Sequence, residues 1–227
     1  FDRLSGAGAW WTGAQRMAIA AEVRNATGCP LCLERKGALS PNKVQGKHAT
    51  AIAAGGEGAL GDDAIEVIHR VTTDPGRLSK SWYASVTAAE LSPGHYIELI
   101  GVVVTIVSID SFCFAMGLPH HLLPAPLAGE PTHYRPERLV DDVAWVPLLD
   151  PANLGAAESD LFGSNTTGNV LRALSLVPDE VRALRSLSVA HYMNMNQMLD
   201  FSHGLSIDRM QVEFIAARVS ALNECFY

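Results

Sequence analysis

The sequence has no apolar run of membrane length, no basic stripe and no second paired-cysteine motif, and each gap closes off a class of function. The longest apolar stretch, Leu99 to Val107, has nine residues and lies between Glu98 and Asp110. A membrane-spanning helix needs about 20, so the stretch is assigned to a buried core and no membrane partner is expected. No basic region followed by an apolar run and a small-residue cleavage site opens the chain, so no export signal is read. The 17 basic residues are scattered among 24 acidic ones, for a formal charge of −7. A nucleic-acid partner would call for a basic stripe, and none is expected. Charged residues make up 18% and hydrophobic residues 48% of the 227, a balance that folds into one large or two small domains.

Cysteine is scarce, with four residues at 29, 32, 113 and 225. A chain of this size needs no disulfide staples, and the C-x-x-C spacing of two of them favours a reduced, cytoplasmic setting with a reactive or metal-binding pair. In Cys29-Pro30-Leu31-Cys32 the proline marks a helix start. There the first thiol gains from the helix dipole as a thiolate, the nucleophilic form, and nearby Arg35 and Lys36 push the same way. Half of a zinc site is a competing reading, and two buried structural cysteines are a third. A structural zinc site needs two further ligands at matching spacing. Neither a second C-x-x-C nor an H-x3-H motif occurs, so no metal and no cofactor is assigned. His120, His121 and His133 lack regular ligand spacing, and Cys113 reads as core.

Helical patterning dominates the chain. Thr12 and Gln15 form a capping box ahead of an alanine-rich helix reaching Ala26. Gly55-Gly56-Glu57-Gly58 reads as a surface loop. Asp62 is expected to cap a helix from Ala64 to Val71, and Asp74-Pro75 and Ser92-Pro93 each supply an N-cap followed by proline. Tyr96 to Met116, rich in β-branched residues but without a turn residue between Gly101 and Gly117, is read as a buried helix. Seven of the twelve prolines fall between Gly117 and Pro151, which predicts an irregular connector. Pro178 opens another helix, and Ser206 is expected to cap the last, with Val212, Ile215, Val219 and Leu222 on one face. Val67–Thr72 followed by Pro75 parallels Val170–Ser175 followed by Pro178, which suggests two related helical halves.

The last helix carries the most specific pattern. In one straight helix Glu213 and Cys225 would stand about 18 Å apart, so cooperation between them requires a break near Asn223. Glu213, an alanine-rich helix and then Asn223-Glu224-Cys225-Phe226-Tyr227 resembles the active-site segment of AhpD-like alkylhydroperoxidases. These belong to the carboxymuconolactone decarboxylase superfamily, and the alkylhydroperoxidase-related (seleno)protein branch is the nearest in pattern. Asn169–Pro178 and Tyr96–Gly101 look like that superfamily as well.

The resemblance implies an all-α, AhpD-like helical fold: residues 1–117 as one half, 118–150 as the connector and 151–227 as the second half. It implies a homo-oligomer that reduces a small-molecule peroxide, drawing electrons from a thiol reductant protein or dithiol donor. Cys225, Glu213, Cys29 and Cys32 would be the catalytic residues, with Glu213 a proton relay whose pKa is raised by an apolar setting. It further implies that cysteine or selenocysteine follows Tyr227, the second half being truncated before that redox residue. The chain departs from the family where Met17 and Lys36 stand in place of the glutamate and histidine that would serve Cys29–Cys32. Around Glu98, Asp110 stands where the first cysteine would be and Cys113 matches the second. A lyase of the decarboxylase type, which needs no C-x-x-C pair, and a non-catalytic helical oligomer are the alternatives.

Overall fold

The computed structural model describes residues 1–51, 58–88, 91–162, 168–223 and 225, without the side chains of 195 and 199. Within these residues the chain is mainly helical, with ten α-helices and one short two-stranded sheet. It divides into two compact units, Phe1–Leu184 and Arg185–Tyr227. The proposed loop residues 55–57, and Glu224, Phe226 and Tyr227 of the last segment, lie outside the described residues.

In the first unit, α1 (Asp2–Ser5) leads into α2 (Gly13–Ala26), whose start is the expected capping box. The Thr12 hydroxyl accepts from the Gln15 amide at 3.2 Å, and the Gln15 side chain accepts from the Thr12 amide at 3.1 Å. A tight turn at Gly28 separates α2 from α3 (Pro30–Gly37), with Cys29 as N-cap and Pro30 in the first turn. α4 (Asp62–Thr73) begins two residues earlier than expected. Gly61 holds the N-cap position, and Asp62 sits in the first turn, where its charge still suits the helix dipole. Asp74-Pro75 opens only a 3₁₀ turn before α5 (Lys80–Val86).

The apolar run from Tyr96 is helical throughout, as α6 (Pro93–Ala115). Ser92 caps its start, and at its end Gly117 adopts φ +66°, with Leu118 N–H donating to the Cys113 carbonyl at 2.8 Å. That left-handed residue and back-bond close the helix, a stop that glycine allows without a Cβ clash. α6 is the one helix among the described residues long and apolar enough to cross a membrane, by length and composition. It packs against α2 and α4, which pack on each other, and Leu99, Val102, Val103 and Ile106 are buried there with Ile19, Val23, Val67 and Ile68. Cys113 is also buried on α6.

The proline-rich stretch is irregular apart from β1 (Leu139–Val140) and β2 (Leu148–Leu149), paired antiparallel. It is not wholly superficial, because Val146 and Leu149 join the core of the first unit. α7 (Asn169–Arg172) precedes α8 (Pro178–His191), which opens at Pro178 as expected. The second unit contains α9 (Met195–Leu199) and α10 (Arg209–Leu222). Asp208, not Ser206, caps α10, because Asp208 and Gln211 complete a reciprocal capping box at 2.9 Å each way. The break after α10 falls at Asn223, where expected. Its apolar stripe is not core, for Ile215, Val219 and Leu222 are exposed.

A buried ion cluster ties α1, α2, α6 and α8 together inside the first unit. Arg16 lies 3.4 Å from Glu98 and 3.3 Å from Glu180, and Arg3 also pairs with Glu180 at 2.9 Å. Trp10 N–H donates to Glu98 at 2.6 Å. Gly101 makes room for this cluster, since a Cβ there would stand 2.2 Å from a Glu180 oxygen. Replacing Gly101 with alanine is expected to cost about 1–3 kcal/mol of unfolding free energy, read by urea titration. Burial raises Glu98 to about 7 against the opposing pull of Arg16 and the Trp10 amide. The folded state thus holds this proton more tightly than the unfolded chain. Stability from Glu98 is fully present below pH 4.5 and is lost as pH rises through about 7, a loss on the order of a few kcal/mol. Urea titrations across that window should show a falling stability in the parent chain and a flatter profile in Glu98→Gln.

Candidate functional site

The turn between α2 and α3 places Cys29 and Cys32 side by side under the body of the first unit, both buried. Facing them is α4, which presents Glu66 and His69 one helical turn apart. The fourth contributor is the segment after α3, pinned to α2 at Ala49 and Ala51. The Asn25 side chain donates to the Ala49 carbonyl at 2.6 Å, and the Ala51 amide donates to Glu22 at 3.0 Å. These two bonds hold His48 over the sulfurs.

The resulting geometry is two carboxylate–imidazole pairs converging on a dithiol. His69 Nδ1 lies 3.1 Å from the Cys32 sulfur, and its Nε2 lies 2.7 Å from Glu22. His48 Nδ1 lies 3.7 Å from the Cys29 sulfur and 3.6 Å from that of Cys32. Its Nε2 lies 2.7 Å from Glu66. Because each carboxylate accepts a hydrogen bond from Nε2, each Nδ1 is turned to the sulfurs. The two rings are neighbours, with centroids 4.0 Å apart. Glu22 and His69 are wholly buried, while His48 and Glu66 reach the surface in part.

Electrostatics follow from these contacts. Burial opposes ionisation of Cys29, but hydrogen bonds from the Cys32 amide, His48 and the Ala49 amide outweigh it and hold the thiol down to about 7. Burial also works against charge on His48, and its bonds to Cys32, Glu66 and Cys29 reverse the effect and raise it to about 10. Glu66, despite burial, is held at about 2 by His48 and Arg35. His69 is lowered, because burial outweighs Glu22 and the nearby His48 charge adds to it. Arg35, expected to act on the thiols directly, instead pairs with Glu66 at 2.8 Å and bonds the Val44 carbonyl at 3.2 Å. It acts on the sulfurs through Glu66 and His48. Trp82 Nε1 donates to the other Glu66 oxygen at 3.2 Å. Beside Glu66 opens a polar cleft of about 480 Å³, also lined by Arg35, Asn42, Arg70 and Trp82.

The structure brings Cys29 and Cys32 together with residues that spacing did not reveal: Glu22, His48, Glu66 and His69. The two ligands that a zinc reading required are present, at 16 and 37 residues beyond Cys32, outside any short motif. A signal did exist in part. Glu22 lies on the apolar face of α2 next to Ile19 and Val23, and His69 follows Ile68 on α4; buried polar groups demand partners.

Glu213 and Cys225 lie in the second unit. Glu213 is half-exposed and pairs with Arg209 at 2.6 Å one turn earlier on α10, so its setting is a solvated ion pair rather than the apolar one expected. Cys225 is exposed, and its amide donates to the Ser220 carbonyl at 3.0 Å.

Comparison with known proteins finds no matching family model, no matching curated protein and no matching solved structure.

The buried Glu22–His69 pair generates a stability test. Truncating Glu22 to alanine strands a buried imidazole, frees the Ala51 amide and removes one of the two hydrogen bonds of the Asn25 side chain. The expected cost is about 3–5 kcal/mol. Glu22→Gln keeps an acceptor oxygen for His69 and should cost distinctly less. Equal destabilisation in urea titrations would show that the charge, not the hydrogen bond, is what matters here.

Proposed function

We propose that the chain is a thiol oxidoreductase that reduces peroxides through Cys29 and Cys32. The observation that carries this reading is the Glu22–His69–Cys32 chain, at 2.7 and 3.1 Å, beside the parallel Glu66–His48 pair. A carboxylate that fixes an imidazole with its free nitrogen toward a thiol is the arrangement used to activate a cysteine and to return its proton later. By spacing alone, Cys29–Cys32 lacks the relay of AhpD-like proteins. Glu22 and His69 supply an equivalent from other positions, which supports the resemblance on functional grounds.

On this reading Cys29, at the N-cap of α3, is the nucleophile. Its thiolate attacks one peroxide oxygen, the O–O bond breaks, and the departing alkoxide takes a proton from His48. Cys29 becomes a sulfenic acid. The Cys32 thiolate, deprotonated by His69, attacks that sulfur, and the hydroxyl leaves as water with the proton His69 has accepted. A dithiol donor then restores both thiols by exchange through a mixed disulfide. The polar cleft is lined by Glu66, the carboxylate partner of His48, and is the entry we assign to small peroxides and to protons. A reducing, cytoplasmic setting and a homo-oligomeric state belong to the same proposal. Exposed Cys225 offers a further thiol, and Glu213, solvated and ion-paired, is assigned no proton transfer.

The test is peroxide-dependent oxidation of a dithiol donor. Cys29→Ser and Cys32→Ser should each fall to the uncatalysed background, and His69→Gln should lose about 100-fold or more. Cys225→Ser is the discriminating arm. If it alone abolishes turnover, the chemistry belongs to the C-terminal segment, and unchanged turnover in all the cysteine variants would discard the redox reading.

A further inference from the structure

The four atoms that face one another in this site are also a complete ligand set. One ligand atom from each of Cys29, Cys32, His48 and His69 lies within 4.8 Å of the other three, and Nδ1 is the nitrogen that each histidine turns to sulfur. In a tetrahedral zinc site with Zn–S near 2.3 Å and Zn–N near 2.0–2.1 Å, a sulfur and a nitrogen stand about 3.5 Å apart. The separations here are 3.7, 3.6 and 3.1 Å. The ligands are preplaced for an ion of that size.

Three further observations point to a metal ion and to its identity. Each histidine offers Nδ1 inward while a carboxylate holds Nε2, the outer-shell arrangement that orients metal-ligating imidazoles. Those carboxylates are themselves fixed, Glu66 by Arg35 and Trp82, and Glu22 by Asn25 and the Ala51 amide. Two thiolates with two imidazoles suit zinc and disfavour magnesium or calcium, which take oxygen ligands. Four protein ligands around a buried centre leave no open position, so the ion itself would offer a peroxide no coordination site and oxidation would fall on the sulfurs.

We infer that the reduced chain binds one Zn²⁺ ion in tetrahedral coordination by Cys29, Cys32, His48 and His69. Binding rests on this geometry alone. Its regulation rests on the thiol reading above: a peroxide that oxidises the pair ejects the ion. In that step two zinc-bound thiolates give up two electrons and form the S–S bond. Hydrogen peroxide takes the two electrons and two protons and leaves as two waters, and Zn²⁺ is released. Zinc loading then marks the reduced, resting state, and a reductant must restore both thiols before the ion returns.

The experiment uses the full chain, reduced and freed of metal by a chelator, and titrates it with Co²⁺ as a spectroscopic probe. The expected result is saturation at one equivalent, with the intense d–d absorption of tetrahedral cobalt and thiolate-to-cobalt charge transfer, both erased by Zn²⁺. Because Cys29→Ser or His69→Ala could unfold the site, Glu66→Gln is the second variant. It should keep the spectrum and weaken affinity about 10–100-fold. An octahedral spectrum, or none, in reduced protein with a native circular dichroism spectrum overturns the inference; peroxide turnover by that same protein would leave the thiol reading standing. A tetrahedral spectrum bleached by hydrogen peroxide together with disulfide formation supports both. A tetrahedral spectrum that survives peroxide, with no turnover by the metal-free chain, supports the ion and removes the thiol reading.

Discussion

A carboxylate on α2 and an imidazole on α4, both cut off from solvent, meet at 2.7 Å between the two central helices of the first unit. Each alone would be costly to bury, since an unpaired polar or charged group in an apolar interior gives up its hydration without return. Paired, they fix the rotation of α2 against α4. They also fix which imidazole nitrogen is left for Cys32. Glu22 spends its second oxygen on the Ala51 amide, and Asn25, one turn along, takes the Ala49 carbonyl. The segment carrying His48 is therefore positioned by the same few atoms that align the helices. Fold and site depend on a single contact.

The remainder of the first unit is arranged so that this contact stays dry. α6 backs α2 and α4 with a nearly unbroken apolar surface, and its one buried acid, Glu98, is answered by Arg16 from α2 and the Trp10 amide. Arg16 in turn reaches Glu180 at the start of α8, where Arg3 joins it. Two buried polar clusters thus lie on α2, one near each end, with apolar residues between them. Such clusters add less net stability than apolar packing would, because desolvation consumes most of the Coulombic gain. Their effect is to penalise any helix register in which the charges miss each other.

How far the sequence foretold this differs by element. Local signals served well: the Thr12–Gln15 box, the Ser92-Pro93 start and the glycine after Met116 each act within a few residues. The long β-branched run became a helix because length and the absence of turn residues outweighed local strand preference. The caps fall elsewhere than at Asp62 and Ser206: Gly61 is the N-cap of α4, with no side-chain cap, and at α10 Asp208 supplies the acceptor, choices that backbone geometry makes within one turn. The cysteine pair is visible as C-x-x-C, but its partners are not. His48 and His69 reach it across two helices and a pinned loop, a distance that no short motif spans. Glu22 and His69 were each legible as misfits on apolar helix faces. That they answer each other is a tertiary fact.

The charges around the sulfurs explain why redox and metal readings arise from the same atoms. Glu22 and Glu66 bring two negative charges next to the pair, and Arg35 and the His48 cation offset them. Ionising both cysteines in that buried space would add two more, and like charges at such range in a weakly polar medium repel strongly. A free dithiolate is therefore the least favoured state of this site. Protonation, disulfide formation and capture of a divalent cation each remove the excess charge, and the histidines, held by carboxylates, can serve all three. As bases they could exchange protons with thiols, and as neutral ligands they could complete a metal sphere. Interconversion among these states is chemistry that the geometry leaves open to a peroxide, a dithiol and a zinc ion.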